Sequence, residues 1–97
     1  LSKRGDAVIQ SWSGKEAEAI FCGGAIKSVP AELAKAARRR LAQLDAATRV
    51  EDLRTPPGNR LHLVEGRWSI SVNMQYRITF IWGEHGPEEV WFGDYHD

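Results

Sequence analysis

Within the stretch "FGDYHD", residues 92–97, a carboxylate, a phenol and an imidazole stand in consecutive positions: Asp94, Tyr95 and His96. Together they can accept a proton, donate a hydrogen bond and return a proton near neutral pH. Such a trio is either the acid–base part of a site or a polar tail. Arg77, in "YRITFIW", adds a cation at a polar position of an alternating run. A guanidinium in the middle of a sheet usually has an anion to hold. Proton transfer beside a bound oxyanion is the chemistry these four residues could do.

The elements that must position them lie in the second half of the chain, where the hydrophobic period becomes two, as in a sheet packed by one face. In "RWSISV" the apolar positions are Trp68, Ile70 and Val72; in "YRITFIW" they are Tyr76, Ile78, Phe80 and Trp82. A three-residue loop of Asn73, Met74 and Gln75 puts all seven on one face, whereas a two-residue loop would split them. The longer loop is therefore expected, with Val72 paired to Tyr76, Ser71 to Arg77 and Ser69 to Thr79. The last four then share the face away from the helices, as plain solvent-exposed sheet or as the floor of a site. "GEHGPEE" reads as a second turn, with His85 as a turn residue, and "VWFGDYH" as the last strand. Gly93 is a candidate bulge, which leaves open the face taken by residues 94–96.

The first half supplies the helices. "AVIQSW", Ala7 to Trp12, is β-prone. Ser13 and Glu16 have capping-box spacing, with Trp12 and Ala17 as a staple and a stop at Gly23 and Gly24, which predicts a helix from Gly14 to Cys22. In "SVPAELAKAARRRLAQLDAAT" Pro30 stands near a helix start, and Leu33, Ala37, Leu41 and Leu44 form one apolar stripe. Lys35, Arg38 and Arg39 point away from that stripe and Arg40 lies on its border, as a solvated face or for phosphate contact. "RVEDLRTPPGN" reads as a short helical turn stopped by Pro56 and Pro57.

The 97 residues make one domain, 1–97, able to bury a core without disulfides. Cys22 is the single cysteine and has no partner at ligand spacing, so no zinc site, metal or cofactor is expected and a reducing cytoplasm fits best. No apolar run approaches a membrane span, and no signal-peptide layout is present. Net charge is zero, yet residues 1–82 carry 13 bases and 8 acids while residues 83–97 carry 5 acids and no base. A basic body is joined to an acidic segment.

Taken in order, "RLH", "WSISVN", "YRITF" and "DYH" resemble the RelE/ParE toxin superfamily, and within it the HigB-type toxins of bacterial toxin–antitoxin pairs. The likeness runs from about Ala7 to His96. It implies an α+β fold with two helices on one face of a twisted, mainly antiparallel sheet. It further implies a ribosome-dependent mRNA endonuclease, neutralised by a HigA-like helix-turn-helix antitoxin through which alone it would meet operator DNA. Carried over by residue, the family's catalytic positions fall on His62, Arg77, Asp94, Tyr95 and His96. Arg77 would clamp phosphate, His96 and His62 would exchange protons in either order, Asp94 would orient, and Tyr95 would stack or donate. Asn73 and Gln75 in the hairpin loop, with Arg67 and Arg40, are candidates for contact with the message or the ribosome. The sequence departs from the family at "HLVEG", where Glu65 stands in place of a lysine and the loop is shortened; either Arg67 supplies the missing cation or the nuclease is weak. The alternatives are an interaction module that cuts little and a ParE-like gyrase inhibitor, whose activity would not require the imidazole pair.

Overall fold

The computed structural model describes residues 8–94. Two helices, α1 (Glu16–Phe21) and α2 (Ala31–Ala46), lie on one face of a four-stranded sheet formed by β1 (His62–Val64), β2 (Arg67–Ser71), β3 (Tyr76–Gly83) and β4 (Gly86–Asp94). The strands pair antiparallel in the order β1-β2-β3-β4. Two 3-10 turns, Val50–Arg54 and Pro57–Asn59, carry the chain from α2 to β1. No described helix is long and apolar enough to cross a membrane.

The β2–β3 hairpin has the expected register, with Trp68 opposite Phe80, Ser69 opposite Thr79, Ile70 opposite Ile78 and Ser71 opposite Arg77. Val72 N–H donates to Tyr76 O at 2.9 Å, which leaves Asn73, Met74 and Gln75 as the loop. The Asn73 side chain closes it, Oδ1 accepting from Gln75 N at 2.8 Å and Tyr76 N at 2.7 Å. A slip of one residue would turn Ile70, Ile78 and Phe80, all 0% exposed, toward water. Each side chain of that size is worth about 1.5–3 kcal/mol when buried. Against them pack Ala17 and Ile20 of α1, and Ala37, Leu41 and Leu44 of α2. Leu33 is only half buried, and Ala34 occupies the inner side of that turn.

Four local expectations are corrected. The β-prone segment before α1 makes no full strand: residues 8–13 run extended beside β4, bridged in parallel at Trp12 and Val90. Bonds from Gln10 N to Pro87 O, Val90 N to Ser11 O and Ser13 N to Val90 O hold it there. That pairing also removes the Ser13 cap. Ser13 is engaged with β4, Gly14 turns the chain at φ +85, and α1 starts from Lys15 with no side-chain cap. Its stop is as expected. Gly23 N–H reaches Ile20 O at 3.0 Å and Gly24 N–H reaches Ala19 O at 2.8 Å, with Gly23 at φ +88.

Arg38 does not point outward; it is half buried, and its Nε donates to Ile20 O at 2.9 Å, satisfying a carbonyl of the last turn of α1. The bulge falls not at Gly93, which pairs with Arg77, but where Thr79 and Ile81 meet Trp91 and Glu88. There Glu89 takes φ +52 and Val90 turns its backbone to the 8–13 segment. A tight turn joins β1 to β2: Glu65 and Gly66, at φ +52 and +85, form the two-residue connection whose twist suits a hairpin.

Candidate active site

Cross-strand neighbours share a face, so the register sets out the surface opposite the helices. One rung runs His62, Ser69, Thr79, Trp91; the next runs Ser71, Arg77, Gly93. This polar face is not open sheet. Ser69, Ser71 and Thr79 are 2%, 7% and 8% exposed, because longer side chains fold over them. Arg67 reaches across from β2, its Nη2 donating to Thr79 Oγ1 at 3.3 Å and Glu89 O at 2.7 Å, while Nη1 meets Glu89 Oε1 at 3.1 Å. Trp91 lies along β4 above Gly93, where an added Cβ would stand 2.4 Å from its Cζ2. The glycine is required by the ring, not by a bulge.

Arg77 sits in the middle of this face, and its Nη1 is buried without a hydrogen-bond partner among the described residues. A buried guanidinium nitrogen without an acceptor is costly, and a bound oxyanion would relieve the cost. It borders a groove of about 240 Å3 lined by Gly58, Arg60, Ser71, Asn73, Met74 and Arg77. Arg40 reaches the same corner from α2, with Nε donating to Ser71 O at 3.3 Å. Two guanidinium groups, Arg60 and Arg77, therefore line the groove, which has no carboxylate among its lining residues. Arg60 escaped the sequence reading because it precedes β1 in a left-handed conformation, φ 51, where alternation says nothing.

His62 is half buried at the start of β1, with Nδ1 2.9 Å from Arg60 O. A carbonyl can only accept, so Nδ1 carries a proton and Nε2 is the ring atom left to take up or give one. By strand spacing the Cα atoms of His62 and Arg77 lie roughly 12 Å apart, two strands and one rung removed.

The structure does not bring Asp94 to this face. It pairs with Tyr76, whose ring stacks on Phe92 on the helix side at 5.3 Å, and its Oδ2 accepts from Gln75 Nε2 at 2.8 Å. Asp94 thus ties the hairpin loop to β4, with Arg77 on the other side of the sheet. Tyr95 and His96 lie outside the described residues. Asn73 and Gln75 sit at the loop beside a fully exposed Met74, and Arg67 is engaged by Glu89. His85 is in the β3–β4 turn, as expected. No group of His, Cys, Asp or Glu suited to a metal occurs among the described residues.

Two helices on one face of a small four-stranded antiparallel sheet are consistent with a RelE-like fold. The family model for the RelE-like toxin of type II toxin-antitoxin system HigB matches residues 13–96, and the chain belongs to that family. It is 48% identical over 58 residues to Toxin HigB-1 of Vibrio cholerae, covering 56% of this chain and 61% of that protein. It is 37% identical over 62 residues to an uncharacterized protein of Haemophilus influenzae, covering 60% of this chain and 61% of that one. The chain thus spans about 61% of the length of these two relatives.

Proposed function

We propose that the chain is a type II toxin that cuts messenger RNA on the ribosome in the cytoplasm, using protein groups alone, and that a helix-turn-helix antitoxin of HigA type holds it silent. The observation that carries this reading is the Arg77 Nη1, buried and without an acceptor beside a groove rimmed by Arg60. The fit is to a phosphodiester. One imidazole takes the 2′-OH proton, the O2′–P bond forms as the P–O5′ bond breaks, and the other imidazole, protonated, returns a proton to O5′. The products are a 2′,3′-cyclic phosphate and a 5′-hydroxyl. Arg77 neutralises the non-bridging oxygens as their charge grows. His62, with Nε2 free, is one of the two imidazoles and His96 the other.

Asp94 acts from the far side of the sheet by fixing Gln75 and with it the hairpin loop, from which Asn73 and Gln75 contact the message or the ribosome. Tyr95 stacks or donates, and Arg40 adds charge at the Ser71 corner. Ribosomes programmed with a defined message are the test: purified chain should yield fragments with 5′-hydroxyl ends. His96→Gln should lower that rate about 10²–10⁴-fold with the melting temperature unchanged, since an amide cannot move a proton near neutral pH. A fully active glutamine variant would remove His96 from the reaction.

A weakly cutting interaction module is the second reading, and it has its own observation. Arg67, the residue expected to replace the family's lysine, is held by Glu89 through its guanidinium, and Glu65 adds a negative charge to the turn nearby. Glu65→Lys keeps a side chain of similar propensity at φ +52, so stability should hold. Cleavage should rise several-fold in the same ribosome assay. An unchanged rate would mean that the cation is already supplied, for instance by Arg60.

A further inference from the structure

Toward the β1–β2 turn from Arg77, the polar face holds a second groove, of about 330 Å3, whose lining includes Ser13, Glu65, Arg67, Ser69, Thr79 and Trp91. The acid–base reading makes no use of it. Two of its lining residues suit a ligand better than they suit the fold. Ser69 is 2% exposed, and its Oγ has no hydrogen-bond partner among the described residues; alanine at the same strand position would avoid that cost. Trp91 is half buried on the same face, its ring laid over Gly93. Because Trp91 pairs with Thr79 and Gly93 pairs with Arg77, the indole spans the distance from the rung of this groove to the rung of the unpartnered guanidinium.

We propose that the groove receives one unstacked nucleobase of the strand whose phosphate Arg77 holds, with Trp91 as its stacking surface and Ser69 Oγ as a hydrogen-bonding group for its edge. The proposal rests on the ribonuclease reading above and adds to it the means of choosing where to cut. Single-stranded RNA is read by splaying a base out, stacking it on an aromatic ring and bonding its edge. Each part is present: a flat ring, a buried hydroxyl able to donate or accept, and a phosphate-holding group one rung away. The volume lies at the small end of the range for ligand pockets, which suits one base and not a paired helix. Arg67 and Glu89, bonded to each other at the rim, leave the groove without a free cation of its own, so it would select by shape and edge while Arg77 supplies the attraction.

The test compares Ser69→Ala, Trp91→Leu and Trp91→Phe in the full chain, using ribosome-bound message libraries with cut sites mapped, and calorimetric titration with the four nucleoside 3′-monophosphates. Ser69→Ala should melt at or above the wild-type temperature and lose about tenfold of its discrimination among bases at one position beside the cut. Trp91→Leu should raise KM and weaken nucleotide binding about tenfold or more, with Trp91→Phe restoring most of both. A Ser69→Ala protein that melts like the wild type and cuts with the wild-type distribution overturns the proposal, as does a folded Trp91→Leu protein with unchanged KM. If the wild type cuts no message, the ribonuclease reading fails by itself and the titration decides. Nucleotide binding lost in Trp91→Leu then upholds the subsite, and wild-type protein that binds no nucleotide removes it.

Discussion

Arg77→Ala is expected to abolish growth arrest on induction, with cleavage of ribosome-bound message lowered about 10²–10³-fold, the loss typical of removing one group that stabilises a developing oxyanion. The fold should survive. Arg77 contributes a β3 backbone rung opposite Ser71 and Gly93, which alanine keeps, and its buried Nη1 gives up no hydrogen bond when removed. Thermal melting should therefore stay level or rise. Arg77→Lys should recover only part of the rate, because a point charge cannot present the paired donors of a guanidinium to a phosphate. Full growth arrest by a well-expressed Arg77→Ala protein would move the phosphate to Arg60 or Arg40 and leave the Arg77 nitrogen unexplained.

The largest loss of stability is expected from Phe80→Ala. Phe80 is fully buried, meets Trp82 edge-on at 6.4 Å and lies opposite Trp68. It also faces the bulge, where the break in pairing leaves β3 more dependent on side-chain packing. Truncation should cost about 3–5 kcal/mol out of roughly 5–15 kcal/mol for a domain of this kind. Urea titration should show the midpoint falling with little change in slope. A loss under about 1 kcal/mol would mean that the site collapses around the smaller side chain.

What the sequence disclosed, and what it withheld, follows the range of the forces involved. The β2–β3 register was readable because seven apolar residues alternate, and any other pairing exposes several of them at once. Arg77 was readable for the same reason, as the polar member of an alternating run. The start of α1 was not: Ser13 has a sound local capping pattern, but β4, more than 70 residues away, engages its backbone. Gly93 announced a peculiarity of β4 without its cause, which is an aromatic ring two residues earlier. The true bulge carries Glu89 in the left-handed region, a residue that gives no warning. Of the site, the polar face and its arginine were legible, whereas the burial of Ser69 and Thr79 depends on how Arg67 and Trp91 fold back. The placing of Asp94 on the helix side depended on a strand parity that the sequence left open.

The segment beside β4 bears on how this small protein behaves at high concentration. Sheets polymerise when each copy offers two free edges, one to receive a strand and one to offer. Here residues 8–13 occupy the outer edge of β4 from Pro87 to Val90, and the opposite edge is β1, only three residues long. A second molecule can add at β1, where Leu63 is 55% exposed, and the pair so formed keeps, among the described residues, only the short stretch of β4 beyond Val90 as an outer edge on which to grow. Whatever self-association occurs through the sheet should stop at two, so that a toxin released in quantity stays dispersed instead of condensing into fibres.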